Sequence, residues 1–254
     1  MVTNSATGAN NGAILALDDV IAGYGKMTIL HGTSFRVARG AITTVIGPNG
    51  AGKSTVFKTV FGMLRARSGH VLFEGADITN LSPRALLARG ISYVPQGRNI
   101  FPELSVRHNL EFGAVTAPKD FDLAARMDAA MDRFPVLRRK ASQQASTLSG
   151  GEQKILEIAR ALLTEPKLMM IDEPSIGLSP LMVNELFATL TAMRDRGITV
   201  LMIEQNAKRA LEISDHGIVL ELGRTRIADS AQSILADPRI GQLFLGGGLA
   251  EKAA

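Results

Sequence analysis

Gly47-Pro48-Asn49-Gly50-Ala51-Gly52-Lys53-Ser54-Thr55 follows the short β-branched run Ala41-Ile42-Thr43-Thr44-Val45-Ile46. It precedes Val56 to Leu64, where apolar residues recur at helical spacing. Strand, glycine loop and helix together form the context of a phosphate-binding P-loop. The glycines let successive backbone N–H groups curl around a phosphate chain without Cβ clashes. The helix that follows adds the positive end of its dipole. In this pattern Lys53 reaches the β- and γ-phosphates, and the Ser54 hydroxyl is a ligand for Mg²⁺. The stretch therefore predicts a nucleoside triphosphate site in an α/β protein.

Working outward, the chain has 254 residues, 46% hydrophobic and 20% charged, which suits a globular core of one large or two small domains. No apolar run approaches the ~18 residues of a membrane-spanning helix. The polar start, Met1 to Asn11, lacks the apolar centre of a signal peptide and reads as a disordered tail over 1–12. Without cysteine, disulfides, iron–sulfur clusters and thiol catalysis are excluded. The four histidines are scattered without metal-ligand spacing. The net charge of +4 is modest. Basic clusters such as Arg138-Arg139-Lys140 read first as solvated helix ends, and a basic balance also suits work beside an anionic membrane.

Ahead of the loop, Ala13 to Ile21 and Ile29 to Val37 read as strands, with a turn at Gly23-Tyr24-Gly25. Tyr24 can stack on an adenine or be a structural tyrosine. After the loop, Gly69 to Phe73 and Ala76 to Ile78 predict a hairpin, and Ser82-Pro83 opens a short helix. The strand over 90–95 ends at Gln96, a candidate Mg²⁺ ligand or water-orienting group, or simply a loop residue. From Arg98 to about Thr147 no strand pattern is convincing, and helices are expected near Val106 to Phe112 and after Asp122. The methionines there read as core filler, or as an adaptable partner surface.

Ser149 and Glu152 form an S-x-x-E capping box before a helix, which explains those two residues structurally. Gly150-Gly151 needs a further reason, and a phosphate approaching the helix start supplies one. Lys167 to Ile171 is an apolar strand ending in Asp172-Glu173. Asp172 suits Mg²⁺, and Glu173 suits a water attacking a γ-phosphate; a solvated acid pair is the plainer alternative. Leu181 to Met193 reads as a helix, Gly197 to Ile203 as a strand ending at Glu204-Gln205, and His216 to Ile227 as a hairpin around Gly223. Helical turns over Ser230–Leu235 and Pro238–Leu245 close the chain.

With Leu148-Ser149-Gly150-Gly151-Glu152-Gln153, the chain resembles the ATP-binding subunits of ABC transporters. The resemblance implies an ABC-type ATPase domain over 13–247 and a frayed end over 248–254. Within the domain it implies a RecA-like α/β core, an antiparallel β-subdomain and a helical subdomain inserted near 97–150. It implies that Tyr24 stacks on adenine and that Gly47, Pro48, Asn49, Gly50, Ala51, Gly52, Lys53, Ser54 and Thr55 form Walker A. Gln96 then matches the Q-loop, and Ser149, Gly150, Gly151 and Glu152 the signature. Asp172 matches Walker B, with Ser54, Gln96 and Asp172 around Mg²⁺, and Glu173 matches the catalytic glutamate. ATP on the loop of one subunit is covered by the signature of a second ATP-binding subunit, the same chain or a different one.

Val94 to Arg98, Phe101 to Leu104, Asp172 to Leu178 and Ile203 to Ala207 look like the smaller ATPase subunit of branched-chain amino acid importers, with amide and urea importers close by. That implies membrane permease partners, an indirect extracytoplasmic solute-binding protein and a peripheral place on the cytoplasmic membrane face. No nucleic-acid partner is expected. The family's switch histidine is Gln205 here, and Ser179 stands at the usual D-loop aspartate. Glutamine can donate to a γ-phosphate but cannot become cationic. The rivals are a nucleic-acid-acting ABC ATPase, which usually carries long coiled-coil insertions or two cassettes, and a binding-only regulatory subunit.

Overall fold

The computed structural model describes residues 12–240. Residues 1–11 of the expected tail over 1–12, the end of the domain over 241–247 and the frayed end over 248–254 lie outside the described residues, as does most of the Pro238–Leu245 turn. Strand β1 (Ala13–Tyr24) pairs antiparallel with β2 (Met27–Ala38). The expected turn at Gly23-Tyr24-Gly25 shifts to Gly25-Lys26, because β1 runs on until Tyr24 pairs with Met27. Gly23 permits this: a Cβ there would lie 2.0 Å from the Met27 carbonyl oxygen.

The chain then enters β3 (Ile42–Ile46), makes the glycine loop and continues as α1 (Lys53–Val60). The helix stops short of the expected Leu64. Gly62 adopts φ +70°, and a Cβ there would lie 2.0 Å from the Leu81 carbonyl oxygen. A left-handed glycine just past the last turn ends the helix. β4 (Ala66–Phe73) and the two-residue β5 (Ala76–Asp77) return to the first sheet, giving the order β2-β1-β4-β5, antiparallel throughout.

Ser82 caps α2 (Pro83–Ala88), which leads into β6 (Ile91–Val94). Three helices follow: α3 (Val106–Glu111), α4 (Leu123–Arg133) and α5 (Pro135–Arg139). Pro135 starts α5, so it restarts the helix that it interrupts. After α6 (Gly150–Leu162) come β7 (Leu168–Asp172), α7 (Pro180–Arg194), β8 (Thr199–Ile203) and α8 (Ala207–Glu212). β9 (His216–Glu221), β10 (Arg224–Ser230) and α9 (Ala231–Ala236) complete the described chain. The sequence reading missed α8, although Asn206 caps it by accepting the Arg209 N–H.

The second sheet has the order β10-β9-β3-β8-β7-β6, parallel except for β10. Its central strands are apolar on both faces because both are covered. Leu168, Met170, Leu201 and Ile203 pack toward α1 and the antiparallel sheet, whereas Met169, Ile171, Val200 and Met202 pack with α6, α7 and the helical segment. The strand order has a direct consequence for function. The carboxyl ends of β3, β8, β7 and β6 form one edge, and the residues that follow them are the glycine loop, Glu204-Gln205, Glu173 and Gln96. The fold is thus α/β with a separate antiparallel β-subdomain.

Candidate functional site

The glycine loop is held from both sides. Gly50 and Gly52 have φ of +82° and +99°, a region costly for a residue with Cβ, and Gly52 stands at the N-terminus of α1. Leu222-Gly223, the turn between β9 and β10, lies against the loop: Gly223 N–H donates to the Ala51 carbonyl at 3.0 Å. The Gly223 carbonyl accepts from His31 N–H at 2.8 Å and from Thr33 Oγ1 at 2.7 Å. A Cβ on Gly223 would lie 1.7 Å from the Ile29 oxygen. This turn locks the loop to the β-subdomain, a role that the sequence shows only as a hairpin glycine.

Lys53 Nζ donates to the Gly47 and Pro48 carbonyls at 2.8 and 3.1 Å. Burial pushes the Lys53 ammonium pKa down, against the pull of Glu173 and Asp172. A partly desolvated ammonium interacts strongly with a polyanion. Tyr24 is 46% exposed on the β1–β2 hairpin, with Lys58 Nζ 5.9 Å from its ring centroid. Arg67 secures that hairpin, donating to Gly25 O, Met27 O and Thr28 Oγ1 at 2.8, 3.2 and 2.9 Å.

At the end of β7, Asp172 is buried, and burial raises its carboxyl pKa; Ser54, Tyr93 and the Lys58 and Lys53 charges oppose this. Ser54 lies beside its side chain, and Oδ2 accepts from Tyr93 OH at 3.3 Å. Asp172 Oδ1 is buried without a hydrogen-bond partner. An orphaned carboxylate oxygen beside a serine hydroxyl fits a hard cation such as Mg²⁺. Among the described residues no group of three or more His, Cys, Asp or Glu could hold an ion.

Glu173 follows at φ +47°, rare for a residue with Cβ, with its N–H donating to the Ile203 carbonyl at 2.9 Å. Gln96 Nε2 donates to Glu173 Oε2 at 2.7 Å, so these two candidates meet directly. Gln205 is exposed at the end of β8. Ser179 caps α7 by accepting Met182 N–H at 3.4 Å, which serine and aspartate both do well at this position.

The loop after Gln96 is bonded to α6. Lys154 Nζ donates to Gly97 O at 3.0 Å and to Glu157 Oε2 at 2.6 Å. Asn99 N–H donates to Glu157 Oε1, and Arg160 donates to the Asn99 carbonyl. No sequence signal pointed to these ties.

Ser149 and Glu152 form the expected capping box: Ser149 N–H donates to Glu152 Oε2 at 2.9 Å, and Glu152 N–H to Ser149 Oγ at 3.3 Å. Lys140 adds bonds of 2.7 and 2.9 Å to the Glu152 carboxylate. The glycine pair divides. Gly151 is buried, and a Cβ there would lie 1.9 Å from Met182 Cε, so close packing on α7 accounts for it. Ser149 and Gly150 are exposed, and Leu178 Cδ2 at 3.7 Å is the nearest atom to a Cβ on Gly150. Packing thus supplies a reason for Gly151 besides a phosphate, whereas nothing packs closely at Gly150.

The model of a family described as ABC transporter matches residues 30–176. The chain is 41% identical over 234 residues to the high-affinity branched-chain amino acid transport ATP-binding protein BraG of Pseudomonas aeruginosa, covering 92% of this chain and 100% of that one. It is 33% identical to the lipopolysaccharide export system ATP-binding protein LptB of Escherichia coli, over 92% and 98% of the two chains. An ATP-binding cassette of an ABC transporter, solved in its ADP conformation, superposes with a TM-score of 0.85 at 30% identity, over 92% and 99% of the chains. The chain belongs to the ATP-binding, ATP-hydrolysing family of ABC transporters.

Proposed function

We propose that this chain is the ATPase subunit of a membrane importer and that its solute class is branched-chain amino acids. One observation carries the subunit reading: the phosphate loop is braced within the chain, whereas the start of α6 is exposed and its side-chain bonds are local. ATP lies on 47–55 of one subunit and under Ser149, Gly150, Gly151 and Glu152 of another, in a head-to-tail pair. The solute class rests on the likeness to BraG, and inward transport rests on the resemblance of 94–98, 101–104, 172–178 and 203–207 to branched-chain amino acid importers.

In this reading the N–H groups of 50–55 and the Lys53 ammonium hold the phosphates. Ser54, Gln96 and Asp172 would hold Mg²⁺, which would supply charge neutralisation at the phosphate oxygens. Glu173, oriented by Gln96, accepts a hydrogen bond from the attacking water and draws off its proton. The Gln205 amide donates to the γ-phosphate. Tyr24 stacks on the adenine. Closure reaches the permease through the Gln96–Asn99 loop and the helical segment, so the subunit is held peripherally on the cytoplasmic membrane face. A solute-binding protein outside the membrane delivers cargo to the permease.

Co-purification from membranes, followed by transport in vesicles, tests the reading. The expected result is a permease partner and ATP-driven leucine uptake that is lost in Glu173→Gln. The likeness to LptB favours a second reading, lipid export. Recovery with an export permease and no leucine uptake would replace the first reading with the second.

A further inference from the structure

Glu204 is a charged residue where a strand end would ordinarily bury something apolar. It follows the wholly buried strand β8 and is itself 1% exposed. Oε1 accepts the Ser175 N–H at 2.9 Å; Oε2 accepts the Ser175 hydroxyl at 2.8 Å and the Gln205 N–H at 3.2 Å. None of the ion pairs among the described residues includes it. Burying a carboxylate without a cation is unfavourable, and only this set of donors offsets it. As a contribution to stability alone the arrangement is a poor choice, because an apolar side chain of similar volume packs at lower cost.

The geometry connects two loops. Ser175 lies two residues beyond Glu173 and four before Ser179, the cap of α7. Gln205 lies on the neighbouring strand end. The Glu173 N–H to Ile203 O bond closes the other side of the same ring. Glu173 and Gln205 are thus held in register by one backbone bond and one buried side chain. Burial raises the Glu204 carboxyl pKa, with the Ser175 and Gln205 donors opposing it and Glu173 adding to it.

We propose that Glu204 is a positioning residue for ATP hydrolysis, fixing the loop that carries Glu173 against the loop that carries Gln205. The proposal rests on the reading that Glu173 and Gln205 act at the γ-phosphate. A displacement of about 1 Å of a reacting group can lower a rate by about 100-fold. Cutting the Ser175–Glu204 tie therefore affects turnover more than nucleotide binding.

The test uses the full chain in its co-purified membrane complex. Glu204→Gln replaces one acceptor with a donor facing donors, and Ser175→Ala removes the hydroxyl that Oε2 accepts. The expected result for Glu204→Gln is a kcat lowered by ~10- to 100-fold. Its affinity for a non-hydrolysable ATP analogue stays within about twofold of the starting protein, which separates positioning from binding. Ser175→Ala lowers kcat less, and the double variant falls short of the product of the two effects. Wild-type kcat in Glu204→Gln, losses that multiply independently, or kcat falling only in step with the thermal midpoint would each overturn the proposal. Glu204→Ala extends the series where it folds. Glu173→Gln is the control: normal turnover there overturns the site reading and this proposal together. A dead Glu173→Gln beside a normal Glu204→Gln overturns this proposal alone.

Discussion

The glycine loop and the start of α6, the two regions proposed to face phosphate, are built on opposite plans. The loop over 47–55 is anchored from within and without: Lys53 bonds its own carbonyls, Gly223 clasps Ala51, and a Cβ on Gly47 would lie 2.2 Å from the Leu220 oxygen. The start of α6 is held by its capping box, Lys140, the Gln153 amide on the Ala145 and Leu148 carbonyls and the packing of Gly151 on Met182, and Ser149 and Gly150 face outward. A site that must hold a flexible polyanion gains affinity by being rigid before the ligand arrives, since ordering it on binding would subtract from affinity. A surface that meets a ligand carried by another molecule needs exposure and aligned N–H groups instead. The difference is what the proposed head-to-tail pair requires, in which one chain supplies halves of two different sites.

Four substitutions break or sharpen this contrast. The largest effect is expected for Lys53→Ala, which removes the charge at the centre of the braced loop and should lower ATP turnover by ~100- to 1000-fold, measured by phosphate release. Next is Gly223→Ala, outside the loop but against it. Its Cβ meets the Ile29 carbonyl at φ +70°, so a loss of ~1–3 kcal/mol is expected. In a chain of this size that is roughly 2–4 °C of thermal midpoint per kcal/mol, readable by thermal denaturation. A stable Gly223→Ala would show that the loop does not depend on the β-subdomain.

Ser149→Ala removes a helix cap and should destabilise the chain by about 1 kcal/mol. ATP affinity of the isolated chain should not change, whereas turnover of the assembled pair should fall; a changed affinity in the isolated chain would erase the contrast. The smallest effect belongs to Arg67→Ala. Its bonds to the Tyr24 hairpin are exposed, so about 0.5 kcal/mol is expected, seen as roughly twofold weaker ATP binding by titration.

Where the sequence was legible, the cause was local. The Ser82, Ser149 and Asp122 caps involve atoms within three residues, so spacing alone announces them. The apolar strands before Gly47 and Asp172 declare themselves because both faces of the second sheet are covered. Less legible were features with a distant cause. The end of α1 at Gly62 depends on the Leu81 carbonyl, and the β1–β2 turn depends on a close approach at Gly23. The packing of Gly151 on Met182, from a helix about thirty residues on, adds to the expected phosphate contact a second reason for the glycine that no local pattern showed. The missed α8 is different, since Asn206 offered a local cap signal.

By itself the sequence determined the α/β class and the chemistry available at each strand end, because periodicity, caps and glycine spacing act over a few residues. Only the tertiary structure decided which strand ends are neighbours. The order β3-β8-β7-β6 brings the loop after Ile46, Gln205, Glu173 and Gln96 to one edge from positions scattered between 47 and 205 in the chain. It also left Asp172 Oδ1 unpartnered and gave Glu204 its bonds to Ser175. Those outcomes are set by packing between elements far apart in sequence, where no local pattern reaches.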